Sequence, residues 1–335
     1  MPRSPAHLAG LAVLLALGCG GGAATQVSLT DLDRSPHQVR FVAVAPGVSL
    51  EVLDWGGTGT PLVFLSGLQD VAHGFDDFAP QFTDQHHVVA ITRRGYGASS
   101  QTEGGYELQG RVADLRAVLD SLGFGRVALA GHSIAGDELT AFAGEYPDRV
   151  AGLIYLDAAY DHSTLTTILG DSPPPPVMTA ADSASPRGVQ AFLLRAYGQH
   201  IPIGQVLAIG RYDAAGHLRG DVTPSRVDGL MLAGCGSPDY ARVRAPVLAI
   251  NAVIDSAPQL FPDWAHYDSS GQAQARRFTA ALQGWAERER GRFRAGVPAS
   301  ELLELHGANH YVFDSNRDEV ARAMRGFLAR MSGGA

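Results

Sequence analysis

Five short apolar runs, each handing over to a polar or glycine residue, constrain this chain more than any other feature. They are Pro61–Leu65 before Ser66, Val88–Ile91 before Arg93, Val127–Ala130 before Gly131, Val150–Leu156 before Asp157, and Pro246–Ile250 before Asn251. Runs this short and this apolar are strands buried on both faces, which an antiparallel sheet with one wet face does not require. Between them lie helical patterns. Over Glu107–Leu122, Val112, Leu115, Val118, Leu119 and Leu122 recur at helical spacing, and a second helical segment runs from after Gly131 to about Tyr146. Strand alternating with helix implies an α/β fold, a doubly wound and mostly parallel sheet covered on both faces. Two earlier strand-like stretches, Val39–Val44 and Val48–Trp55, read as an antiparallel opening.

The rhythm stops at about Ala159 and resumes near Arg244. In between lie a four-proline run, Pro173–Pro176, and irregular helical pieces such as Val189–Tyr197. The proline run is expected to be a stiff surface link. The pattern then closes with Leu302–Leu305 and a helix over Arg317–Met331. A segment Ala273–Arg290, flanked by Trp264 and including Trp285, is either an outer helix or a second lid element. The expected organisation is a leader over residues 1–24, a core over 38–158, an inserted and mainly helical cap over 159–244, and the rest of the core over 245–335. Such a cap would lie over the carboxyl ends of the strands, where doubly wound sheets bind ligands.

The formal net charge of −8 leaves no basic face for a phosphate backbone, so nucleic acid is not an expected partner. Arg3 and His7 precede a short apolar run, Leu8–Leu17, too short to span a bilayer and typical of a secretory signal. It ends in Leu15-Ala16-Leu17-Gly18-Cys19, which resembles a bacterial lipobox with Cys19 as the lipidated residue; cleavage after Gly22-Ala23-Ala24 is the alternative. The expected location is the cell envelope, with lipid-mediated membrane attachment through Cys19, or otherwise the periplasm or medium. The second of the two cysteines, Cys235, then has no partner in the chain and is expected to be structural.

A serine hydroxyl becomes a nucleophile only when a base takes its proton and donors stabilise the resulting oxyanion. One architecture sets the serine on a sharp strand-to-helix turn with small residues two positions on either side. Gly-x-Ser occurs four times, beginning at Gly47, Gly97, Gly131 and Gly170. Only the Gly131 copy, Gly131-His132-Ser133-Ile134-Ala135-Gly136, follows an apolar strand and opens an amphipathic helix. Ser133 is therefore the candidate nucleophile, and a helix-capping serine is the bland alternative.

From about Val39 to the end, apart from the inserted segment, the chain resembles the α/β-hydrolase family. Ser66-Gly67-Leu68 is similar to that family's His-Gly-x oxyanion loop, with Ser66 in place of histidine. The resemblance implies backbone N–H donors at Leu68 and Ile134. Arg93-Arg94-Gly95-Tyr96-Gly97-Ala98-Ser99 resembles a packing turn of the same family. A histidine base is expected in the loop after the last strand, where Gly307-Ala308-Asn309-His310-Tyr311 supplies His310. The orienting acid is expected after the penultimate strand, at Asp255, with Asp157 as the alternative.

Other signals point elsewhere less well. His306 and His310 are four apart but span a strand-to-loop junction and lack the glutamate of a zinc protease helix, so no metal is expected. Gly123-Phe124-Gly125-Arg126 precedes its strand instead of following it, so no dinucleotide and no other cofactor is implied. His132 is expected to shape the pocket. The function implied is hydrolysis of a carboxylic ester or related acyl substrate, a small molecule, through an acyl-enzyme on Ser133. C–C bond hydrolysis and perhydrolysis use the same triad, and a non-catalytic exported binding protein is the reading from a different class.

Overall fold

A computed structural model describes residues 32–332. Ten strands form: β1 (Gln38–Ala45), β2 (Val48–Gly56), β3 (Leu62–Leu65), β4 (Val88–Ile91), β5 (Val127–His132), β6 (Val150–Leu156), β7 (Gly210–Tyr212), β8 (Leu218–Asp221), β9 (Val247–Val253) and β10 (Glu301–His306). Eight make one sheet in the order β1-β2-β4-β3-β5-β6-β9-β10, in which the β1–β2 and β2–β4 pairings are antiparallel and the others parallel.

The central strands are apolar throughout because both faces are packed. In β5, Val127 and Leu129 face one buried cluster while Ala128 and Ala130 face another. The first cluster packs under the helices α1 (Leu108–Ser121) and α2 (Ala135–Glu145), through Val112, Leu115, Val118, Leu139 and Phe142. The second is aromatic-rich, built on Phe64, Phe75, Phe78, Phe82 and Phe313. Chain direction reverses its walk at β3, which lies between β4 and β5. The loops leaving β3 and β5 therefore diverge from neighbouring strand ends, the position at which doubly wound sheets bind ligands.

Between β6 and β9 the chain builds an insertion from α3 (Thr166–Leu169), α4 (Pro186–Tyr197), α5 (Ile203–Ile209) and α6 (Arg226–Ala233), together with the hairpin β7–β8. The hairpin was not expected. Its strands have three and four residues, too short to show an alternating pattern. Val189, Phe192, Leu193, Ile201, Val206 and Leu218 give this region a small core of its own. After β9 come α7 (Ala257–Leu260), the long α8 (Ser269–Gly296), α9 (Val312–Ser315) and α10 (Arg317–Ser332). Helix α8 is an outer helix. It packs through Trp285 against Tyr160 and through Phe293 against Tyr155 and Tyr240.

Candidate active site

Ser133 sits between β5 and α2 with φ of +54°, a left-handed conformation that costs a non-glycine residue roughly 1–3 kcal/mol. Tight packing holds it there. A Cβ on Gly131 would lie 2.6 Å from Leu139 Cδ1 and 2.9 Å from Ala135 Cβ, and one on Gly136 would lie 1.8 Å from the Ala158 carbonyl oxygen. Small residues on both sides are thus required for strand and helix to meet at this angle. The Ser133 amide donates to the Leu156 carbonyl at 3.2 Å, tying the turn to the end of β6. His132 and Ile134 on either side are buried, and Ser133 is half-buried.

His310 lies in the loop after β10. Its Nδ1–H donates to Asp157 Oδ2 at 2.6 Å. That bond fixes the tautomer, leaving the Nε2 lone pair available as a base. Desolvation by surrounding protein pushes the imidazole pKa down, but the hydrogen bond and charge of Asp157, with the charge of Asp70, outweigh it and leave the pKa raised. The ring edge stays open to solvent, with 44% of the side chain exposed. Asp157 is buried and has φ of +47°, which aspartate tolerates better than most residues. Its Oδ1 accepts from the Ala252 amide at 3.0 Å and from the Tyr160 hydroxyl. Three donors thus converge on one carboxylate.

Asp255, the acid expected from sequence, does not reach His310. It lies beyond the end of β9, is half-exposed, and accepts from His306 Nδ1 at 2.9 Å. The register of the parallel pair explains this. His306 is level with Val253, so the loop after β9 meets β10 four residues before His310. The carboxylate at His310 comes instead from the next strand inward, β6.

The elbow and the histidine loop touch directly. His132 Nε2–H donates to the His310 carbonyl at 3.1 Å, and the two rings are 4.6 Å apart. Burial leads the causes that lower the pKa of His132, so it stays neutral and structural. Its Nδ1 is 3.5 Å from Asp70 Oδ2. Asp70 Oδ1 accepts from Gln205 Nε2 of α5 at 2.5 Å and from the Tyr311 hydroxyl at 3.0 Å. This buried polar group, which motif reasoning did not find, ties the inserted region, the β3 loop and the His310 loop together.

Leu68 follows the end of β3 in a turn whose next residue, Gln69, has φ of +67°. Leu68 and Ile134 belong to the same apolar cluster, covered by Val227 and Met231 of α6. No hydrogen bond from either backbone amide to the rest of the protein is present among the described residues. Ile134 stands at the N-terminus of the eleven-residue α2, where the helix dipole favours negative charge. Ser66 is buried with an unpartnered hydroxyl. The loop is braced instead by Arg93, whose guanidinium donates to the Gly67 carbonyl at 3.2 Å and to Glu138 of α2 at 2.6 Å. Cys235 lies against α6, where burial pushes its thiol pKa up and its Sγ faces the Met231 carbonyl. Cys19 and the leader lie outside the described residues.

A family model described as alpha/beta hydrolase fold matches residues 60–202. The chain is similar to a 2-(acetamidomethylene)succinate hydrolase of Mesorhizobium japonicum, 28% identical over 101 residues that make up 30% of this chain and 36% of that protein. It is also similar to a bifunctional esterase/perhydrolase of Acinetobacter calcoaceticus, 31% identical over 127 residues, 35% of this chain and 44% of that one. The matched stretch thus spans less than half the length of either relative. Among solved structures, that of an E-2-(acetamidomethylene)succinate hydrolase superposes with a TM-score of 0.64 at 19% identity, covering 88% of this chain and 99% of that one.

Proposed function

We propose that the chain, which has the α/β-hydrolase fold, is a serine hydrolase of carboxylic esters or related acyl substrates. The observation that carries this reading is the left-handed Ser133, next to the residue that is hydrogen-bonded to the His310 loop, together with the Asp157–His310 pair. Ser133 Oγ attacks the acyl carbonyl carbon while His310 Nε2 takes its proton. Asp157 holds the imidazole in the Nδ1–H tautomer and stabilises the imidazolium. The amides of Leu68 and Ile134 accommodate the oxyanion. Collapse expels the alcohol, which leaves with the proton from His310, and water repeats the sequence on the acyl-enzyme. The likeness to an esterase/perhydrolase supports one variation on the same serine, with hydrogen peroxide replacing water in the second half.

The apolar cluster of Val71, Ile134, Val227 and Met231 beside Leu68 supports a hydrocarbon acyl group over a charged one. We also propose export, with a lipid on Cys19. A Cys19→Ala chain should then leave the membrane fraction, and unchanged fractionation would rule the lipid out.

A fluorophosphonate probe tests the central reading. The wild-type protein should be labelled stoichiometrically and Ser133→Ala not at all. Equal labelling of the two, or no labelling of the wild type, would overturn it and leave the fold as a binding scaffold.

A further inference from the structure

Beside Gly204 of α5, four side chains present metal-ligating atoms within 4.8 Å of one another: Asp33, His37, His73 and Asp76. Asp33 and His37 lie on the lead-in to β1, whereas His73 and Asp76 lie on the turn that follows β3. His37, His73 and Asp76 side chains are nearly or wholly withdrawn from solvent. The donor atoms are spaced at or just inside the edge lengths of a small coordination shell. His73 Nδ1 is 3.3 Å from Asp33 Oδ2 and 2.8 Å from Asp76 Oδ2, and His37 Nδ1 is 3.1 Å from Asp76 Oδ1. A tetrahedral ion with bonds of about 2.0–2.1 Å has donor–donor edges of roughly 3.3–3.4 Å.

A further observation points to an ion within this group. His37 Nδ1 and Asp76 Oδ1 are buried and close, yet neither makes a hydrogen bond of acceptable geometry. Lone pairs aimed at a shared point instead of at each other produce that arrangement. Gly204 of α5 packs its backbone against three of these donors. A Cβ there would stand 2.3 Å from Asp76 Oδ2, 2.7 Å from His73 Nδ1 and 2.8 Å from Asp33 Oδ2. Three donor atoms from two separate segments are thus approached so closely by α5 only because residue 204 has no side chain.

We propose that Asp33, His37, His73 and Asp76 form a structural divalent-metal site of zinc-type nitrogen and oxygen ligation, closed over by Gly204. The ion would fasten the lead-in to the turn after β3 and seat α5 on both. His73 Nδ1 now carries a proton shared with Asp76, which the metal replaces on binding. The site is separate from the reacting centre, so it acts on stability and on the seating of the inserted region. Sequence spacing does not announce it. Its four residues form no helix-face or Cys/His motif, and no metal was expected from them.

Cobalt(II) is the probe, read by its visible d–d bands on the full chain after dialysis against EDTA. The wild type should take up one equivalent with tetrahedral-type absorption, and zinc should displace it. Gly204→Ala keeps every donor but drives a methyl against three of them, and Asp33→Asn changes a ligand on a partly exposed segment; each should weaken binding by at least about 100-fold, beyond the usual effect of outer-shell changes. His306→Gln, which alters an exposed histidine–aspartate pair elsewhere, should bind as the wild type does. Zinc should raise the wild-type Tm and leave the Gly204→Ala Tm unmoved, a comparison internal to each variant. A wild type that takes up no cobalt, or variants that bind equally well, would overturn the proposal and leave a cluster of ion pairs.

Discussion

Asp157 Oδ2 and His310 Nδ1, 153 residues apart in sequence, meet at 2.6 Å, while Asp255, 55 residues before His310, turns to His306. The carboxylate that meets the imidazole is also the one whose backbone is left-handed and whose second oxygen receives Tyr160 and the Ala252 amide. It is held from several sides; Asp255 is held by one exposed pair and by its own backbone contact to Gln259.

Asp157→Asn should therefore lower p-nitrophenyl acetate turnover by on the order of 10³–10⁴, because an amide at that position favours the wrong imidazole tautomer. Asp255→Asn should stay within about twofold of wild type, since exposed pairs contribute little. The two variants assayed together decide the matter, and the reverse pattern would return the role to Asp255.

The raised pKa of His310 sets a pH dependence. The base works when deprotonated, so kcat/KM should fall with decreasing pH, its acidic limb centred above the ordinary histidine value of 6.5. Removing the Asp157 charge should move that limb to lower pH, alongside the loss in rate. For stability the direction is opposite. The folded state favours protonated His310, so its contribution is present below the unfolded pKa and is lost as pH rises through the folded one. With 44% of the side chain exposed, that contribution is small. A pH–rate profile with a limb below 6.5 in the wild type would contradict the assignment.

Much of this was legible in the chain. Apolar runs bounded by polar residues or glycine located the sheet, because a parallel strand buried on both faces leaves no room for polar alternation. Ser133 and His310 could be singled out because each follows a strand end in a fixed topological order. The acid was narrowed to Asp255, with Asp157 as the alternative, because β6 and β9 are adjacent and both end near an aspartate. Which carboxylate turns inward depends on the backbone angle at Asp157 and on the β9–β10 register, neither of which leaves a mark in composition. The Asp70–Gln205–Tyr311 group was hidden for a related reason. Its members are 135 and 241 residues from Asp70 and meet only when the inserted region docks.

Gly136→Ala probes the packing that strains the turn. Its new methyl would overlap the Ala158 carbonyl, which is backbone and cannot swing away. The expected cost is about 1–3 kcal/mol in denaturant unfolding, with turnover falling further than stability explains because Ala158 adjoins Asp157. Unchanged activity in a destabilised variant would show that the turn tolerates the shift.

Met231 of α6 is fully buried beside Leu68 and Ile134, the two residues whose amides would face the oxyanion. Truncation to alanine should cost roughly 2–5 kcal/mol, as for other buried large-to-small changes, while opening apolar space next to the acyl position. Each additional methylene accommodated there is worth about 1–3 kcal/mol of discrimination. Over a series of p-nitrophenyl esters, Met231→Ala should raise kcat/KM for octanoate relative to acetate by about 10-fold or more, even if both fall in absolute terms. The ratio isolates pocket shape from lost stability, because unfolding lowers both substrates equally. An unchanged ratio would mean that α6 covers the site without bounding the acyl chain, and would move the acyl pocket to the other side of the Ser133 turn.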